Sequence, residues 1–193
     1  EPGRRPCPAR FLALLCLLSG PLAPARAQVP DAELPVIDAP VTDLAGVLSE
    51  SGLRLVEGMI RDHQAATGVQ LAILVVSTTA GEPIEDYSLR VATRWRGGSA
   101  ARDEGVLYVL AVNDRRQRLD VGYGLEDRIS DASAARILDG LIPYLRDGDY
   151  DGVVRSVANA VEAYTTDFAP PEESADVEEP GLLTELAPTP VYG

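Results

Sequence analysis

Carboxylates crowd the ends of two apolar segments between Asp103 and Asp131, DEGVLYVLAVNDRRQRLDVGYGLEDRISD. Asp103 and Glu104 precede an apolar run from Val106 to Val112, and Asp114 falls in the polar turn Asn113-Asp114-Arg115-Arg116. Glu126, Asp127 and Asp131 follow a second strand that alternates Leu119, Val121 and Tyr123 and breaks at Gly122-Tyr123-Gly124. Hard divalent cations take such oxygens: calcium gathers roughly 6–8 of them from carboxylates, carbonyls and water. If the two strands are antiparallel, Asp103 and Glu104 meet Glu126 and Asp127 on one side, and Asp114 lies on the other. Asp43, ahead of the first helix, is a further candidate. The expected ligands are Asp103, Glu104 and Glu126, with Asp43 and Asp127 as additional ones and Ca2+ as the cofactor. The competing reading is a solvated acidic face, with Asp131 supporting a helix N-terminus.

Other constellations fail on chemistry. Gly122-Tyr123-Gly124 lacks the third glycine of a dinucleotide loop; Asp127 stands in its place, where a carboxylate repels pyrophosphate. The glycines instead suit positive φ or close backbone approach. Asp147-Gly148-Asp149-Tyr150-Asp151-Gly152 resembles half of an EF-hand loop, but its twelfth position is Ala158 rather than a bidentate Glu. A helix cap is the simpler reading. His63 is the single histidine and stands alone in Arg61-Asp62-His63; an imidazolium there would favour the end of the first helix. Arg115, Arg116 and Arg118 offer forks for a carboxylate or phosphate, or pair locally with Asp114 and Asp120.

All 17 basic residues are arginines and the formal charge is −13. Without lysine there is no Walker-type phosphate loop and no Schiff base, and the acidic balance excludes nucleic acid as a partner. Residues 1–27 read as a secretory signal peptide: Arg4, Arg5 and Arg10, an apolar stretch from Phe11 to Leu18, and an Ala25-Arg26-Ala27 cleavage site. That stretch is short of the ~20 residues that span a bilayer. Cleavage removes Cys7 and Cys16, so the mature chain has no thiol or disulfide. Export to the periplasm or outside the cell is expected, with no transmembrane helix in the mature chain.

The elements that must position the carboxylates follow from periodicity. Residues 28–40 are a proline-rich linker, and the domain is expected over 41–168. Ser49 caps a helix carrying Leu53, Val56 and Ile60, which Gly68 ends. Val69 to Val76 is a strand covered on both faces. Pro83 starts a second helix with Ile84, Tyr87, Val91 and Trp95, stopped by Gly97-Gly98. After the hairpin, Ser130 caps a third helix that Pro143 should kink or end. A fourth runs from Tyr150 to Phe168. Residues 169–193 hold Glu172, Glu173, Asp176, Glu178, Glu179 and Glu185 with no base, the composition of a disordered tail. Helices alternating with apolar strands predict a three-layer α/β/α sandwich, Rossmann-like, with a mixed sheet of about four strands.

Asp43-Leu-Ala-Gly-Val-Leu-Ser49, the run Thr67 to Val76, the Asp103-to-Leu107 strand start, Asn113-Asp114-Arg115 and above all Val121-Gly-Tyr-Gly-Leu-Glu126 resemble the TPM-domain family. The resemblance covers roughly Val41 to Tyr164. The family joins secreted bacterial proteins with thylakoid-lumen proteins of photosystem II repair. It implies the same sandwich outside the cytoplasm and a calcium-binding interaction module assisting assembly or quality control of envelope or membrane proteins. The alternative it implies is a metal-dependent acid phosphatase using the same carboxylates. The chain departs from many relatives at Glu104, where asparagine is frequent.

Overall fold

The computed structural model describes residues 34–96 and 103–168. The expected signal peptide, the expected disordered tail and the expected stop at Gly97-Gly98 lie outside them. The elements are β1 (Val41–Asp43), α1 (Glu50–Thr67), β2 (Gln70–Val76), α2 (Ile84–Trp95), β3 (Gly105–Ala111), β4 (Arg116–Val121), α3 (Asp131–Asp147) and α4 (Tyr150–Thr165), with a 3-10 turn at Tyr123–Leu125.

Local chemistry sets the boundaries. Ser49 Oγ accepts the Gly52 amide at 3.0 Å and starts α1; Gly68, at φ 79°, ends it with its N–H on the Gln64 carbonyl. Ser130 and Asp149 cap α3 and α4 in the same manner. Pro83 sits at the N-cap position of α2, which closes at Arg96 in the left-handed region. Two expectations change. Pro143 neither ends nor splits α3, which continues to Asp147; Pro143 and Asp139, whose carbonyl loses its donor, are both exposed, so water can serve that carbonyl. Tyr123 belongs to the turn and not to the second hairpin strand.

The sheet order is β1-β2-β3-β4, with the first three strands parallel and β4 antiparallel to β3. β2 is buried from Leu71 onward, and β3 throughout, on both faces. On one face Ile73, Val75, Tyr108 and Leu110 pack with Val56 and Ile60 of α1, Ile137 and Leu141 of α3, and Val154, Val157 and Val161 of α4. On the other, Leu74, Leu107 and Val109 meet Ile84, Tyr87 and Val91 of α2. Each such side chain contributes about 1.5–3 kcal/mol when fully buried. Leu34 and Ile37, expected in the linker, also pack on the α2 face.

Right-handed crossovers that step the same way across a parallel sheet place their helices on one face. Here α1 and α2 lie on opposite faces, so one of the two crossovers is left-handed. Among the described residues the three-layer sandwich therefore carries three helices against one face and a single helix against the other.

Candidate functional site

The hairpin returns the chain to the edge where β3 begins, here called the amino edge. The Gly122 amide bonds the Gly105 carbonyl at 2.7 Å, and the Gly124 amide bonds the Asp103 carbonyl at 3.2 Å. Asp103 Oδ2 accepts the Tyr123 amide at 3.2 Å. Asp103 itself adopts φ 51°, a region aspartate enters more readily than most residues. A Cβ on Gly122 would lie 2.2 Å from the Asp103 carbonyl oxygen. Gly122 has φ −66°, so close approach and not positive φ requires the glycine. Leu125 and Ile129 are buried beneath the bend. Tyr123 stands outward on this stapled frame with 79% of its surface exposed.

Asp103, Glu104, Glu126 and Asp127 therefore share one edge, as the antiparallel hairpin predicts. Glu104 is buried, and its carbonyl accepts the Gln70 amide at 3.0 Å. Asp103, Glu126 and Asp127 are exposed. Asp43 does not join them. β1 is parallel to β2 and β3, so its last residue lies at the opposite, carboxyl edge. There its carboxylate accepts the amides of Ala45 at 3.0 Å, Gly46 at 2.8 Å and Leu48 at 2.8 Å, which folds the loop into α1 and occupies both oxygens. Among the described residues no three His, Cys, Asp or Glu side chains are grouped as a bound metal needs. For calcium, the amino-edge carboxylates supply the right donor type on an open rim, not a closed cage.

The carboxyl edge holds polar chemistry that spacing did not reveal. Asp114 takes the Thr79 amide at 2.7 Å and the hydroxyls of Thr78 and Thr79. The Thr79 amide bond, the two hydroxyl bonds and the nearby Arg116 hold its carboxyl below the usual range against partial desolvation. Glu82, its side chain 0% exposed, forms a fork-to-fork pair with Arg90 at 3.0 and 2.7 Å. Arg118 pairs with Asp120 at 2.8 Å, the local pairing expected of the hairpin arginines. Asp149 and Asp151, from the EF-hand-like stretch, are used as caps: Asp149 Oδ1 accepts the Gly152 amide at 2.8 Å, and Asp151 accepts the amide and hydroxyl of Ser49.

His63 lies where α1 and α4 end side by side, in a groove of 320 Å³ shared with Asp62 and Glu162. Thr165 gives its hydroxyl proton to the Val161 carbonyl at 2.6 Å, so His63 Nε2 is the donor in its 2.7 Å bond to Thr165 Oγ1. Partial burial lowers the imidazole pKa, with Glu162 opposing. The side chain is thus held toward the neutral form, not the helix-end imidazolium expected from sequence. No helix among the described residues is long and apolar enough to cross a membrane.

A family model described as the TPM domain matches residues 41–164. No curated protein matches the sequence. Among solved structures, the N-terminal domain of a P. gingivalis protein is 30% identical with a TM-score of 0.61, covering 74% of this chain and 94% of that one. The N-terminal domain of the cg2496 protein from Corynebacterium glutamicum is 19% identical, TM-score 0.54, over 66% of this chain and 80% of its own. The BA42 protein from the psychrophile Bizionia argentinensis is 18% identical, TM-score 0.51, over 64% and 87%. The last two share the fold.

Proposed function

Because this chain belongs to the TPM-domain family, we propose that it is an exported interaction module working through the bend at the amino edge of its sheet. The carrying observation is Tyr123, 79% exposed on a turn whose backbone is bonded to Asp103 on one side and anchored by Leu125 and Ile129 below. An aromatic side chain on a fixed backbone has few torsions to order on docking, and tyrosine is enriched among residues that dominate interfaces. Envelope or membrane proteins are the partners that fit an exported chain.

Asp103, Glu126 and Asp127, with Glu104 behind them, are the oxygen donors calcium would draw on beside this tyrosine; they are not grouped as a bound metal needs, so the side chains would have to close on the ion. Bound there, calcium supplies positive charge at a rim otherwise crowded with carboxylates. The chain's own contribution is the Gly122 approach, which keeps Asp103 against the bend. A metal-dependent acid phosphatase would draw on the same carboxylates; the one imidazole is committed to Thr165 in a separate groove.

Two measurements test this. Calorimetry of the leader-free protein with calcium should show binding that Asp103→Asn with Glu126→Gln abolishes and Tyr123→Ser retains; no heat in the wild type removes the metal. A photoreactive residue at position 123 in intact producing cells should trap an envelope or membrane protein; no adduct removes the interaction reading. Turnover of a chromogenic phosphate ester, lost in Glu126→Ala, would replace both with a hydrolase.

A further inference from the structure

α3 and α4 form a helical hairpin through Gly148 and Asp149, and a groove of 350 Å³ runs between them, within the roughly 300–1,000 Å³ of small-molecule sites. Arg136, Gly140 and Tyr144 line it from α3, and Ser156, Ala160 and Tyr164 from α4. Each set recurs every four residues, so it forms one row along its helix, about 12 Å from end to end. Because the helices run antiparallel, Tyr144 and Tyr164 stand at opposite ends of the groove. Leu141, buried, lies at its base.

The polar groups on this groove are all donors. Among the described residues the Arg136 guanidinium bonds Ser133 Oγ at 3.0 Å and has no carboxylate partner. None of the lining residues is acidic, in a chain with 30 acidic residues against 17 basic ones. The hydroxyls of Tyr144, Ser156 and Tyr164 make no hydrogen bond among the described residues. A Cβ on Gly152 would stand 2.7 Å from the Tyr144 ring, so that glycine lets the ring pack against α4.

Gly140 keeps the groove open. A glycine inside a helix costs ~1 kcal/mol against alanine. A Cβ at this position would meet nothing within 4 Å, and Gly140 is not among the glycines of positive φ. Neither packing nor backbone geometry calls for it. Gly58 in α1 is equally open and borders neither described groove, so the glycine counts here only together with the guanidinium beside it.

We propose that the α3–α4 groove binds a small organic carboxylate with an aromatic body. The carboxylate lies on the fork of Arg136, whose planar N–H groups match its two oxygens. The ring lies over Gly140 and Leu141, between the two tyrosines. A phosphate dianion fits less well, because a single cation would serve two charges.

An amide-detected NMR titration of the protein tests the assignment. Phenylacetate and indole-3-acetate should give saturable shifts confined to residues 136–144 and 156–164. Phenethylamine, of the same body and opposite charge, and acetate, which lacks the ring, should give none. Arg136→Gln should weaken phenylacetate binding about tenfold or more, the scale of a lost hydrogen bond to a charged group. Gly140→Leu should fill the groove and abolish binding while its urea midpoint holds or rises, since leucine outranks glycine in a helix. No saturable shift with either aromatic carboxylate overturns the proposal, as does phenethylamine binding as tightly as phenylacetate. Unchanged binding in Arg136→Gln or in folded Gly140→Leu overturns it too. Phenyl phosphate binding more tightly than phenylacetate would overturn the choice of a carboxylate.

Discussion

Ser49 and Asp151, 102 residues apart, join the amino ends of two helices: Asp151 Oδ1 accepts the Ser49 amide at 2.9 Å and Oδ2 accepts its hydroxyl. His63 and Thr165 repeat the same 102-residue offset at the carboxyl ends. α1 and α4 therefore run parallel and in register over about 21 Å, the rise of fourteen helical residues. Asp151 also supplies the acceptor that the loop ahead of α1 needs. Asp151→Ala should cost about 1–2 kcal/mol, the scale of a lost cap with an unpaired amide, read as a lower urea midpoint at unchanged slope.

Gly52 makes that contact possible. A Cβ there would meet Asp151 Cγ at 2.4 Å, so Gly52→Ala has to displace the carboxylate from Ser49. Alanine gains up to ~1 kcal/mol of helix propensity over glycine, yet overpacking of this kind costs about 1–3 kcal/mol. The single variant should be destabilised. In an Asp151→Ala background the clash is gone and Gly52→Ala should stabilise. A urea double-mutant cycle reads this change of sign; additive effects would contradict the contact.

The fold was legible because each signal was local: Ser49, Gly68, Ser130 and Asp149 mark helix ends, and the unbroken apolar runs of β2 and β3 announce strands buried on both faces. The three-residue β1 carries too little periodicity to be found by pattern. The hand of the crossovers was hidden as well, since it depends on which face α2 chooses. At the candidate site, the hairpin alone brought Asp103, Glu104, Glu126 and Asp127 to one edge. Asp43 was misplaced because its partners are amides within five residues, a loop role that a carboxylate's identity does not reveal. The exposure of Tyr123 is hidden in the sequence because the alternation from Leu119 runs on through it, while the turn begins at that residue.

The Glu82–Arg90 pair spans eight residues and links the entry of α2 to its second turn. Glu82 is fully enclosed and Arg90 has only 25% of its side chain exposed. Removing one member of such a pair takes a bidentate charge partner from the other, at up to about 3–5 kcal/mol. Arg90→Met should therefore lower the urea midpoint sharply, while Glu82→Gln with Arg90→Met should recover much of the loss. A double variant no better than Arg90→Met alone would show that the enclosed Glu82 charge is not the cause.

His63 binds its proton less readily in the folded protein than its ordinary value of 6.5 implies, because burial disfavours the imidazolium more than Glu162 favours it. Below pH 6.5 the unfolded chain takes up the proton first. The His63 contribution is thus fully present above 6.5 and is lost as pH falls from there toward the folded value. His63→Gln, with an amide able to donate to Thr165, should flatten the fall in thermal midpoint between pH 7.5 and 5.5. A variant with the wild-type slope would place the pH dependence elsewhere.

Gly122 offers the sharpest test of the amino-edge bend. Its φ of −66° is open to any residue, so Gly122→Ala incurs no backbone strain of the left-handed kind. The added Cβ would nevertheless stand 2.2 Å from the Asp103 carbonyl oxygen and 3.0 Å from Asp103 Oδ1, and backbone cannot swing aside as a flexible side chain does. The variant should lose about 1–3 kcal/mol, with amide shifts concentrated at residues 103–105 and 122–126. Asp103 would be pushed off the Tyr123 amide, so calcium binding should weaken along with stability. A Gly122→Ala protein with wild-type stability and unmoved amide signals would mean that Asp103 is not seated against the bend, and the anchored backbone beneath Tyr123 would fall with it.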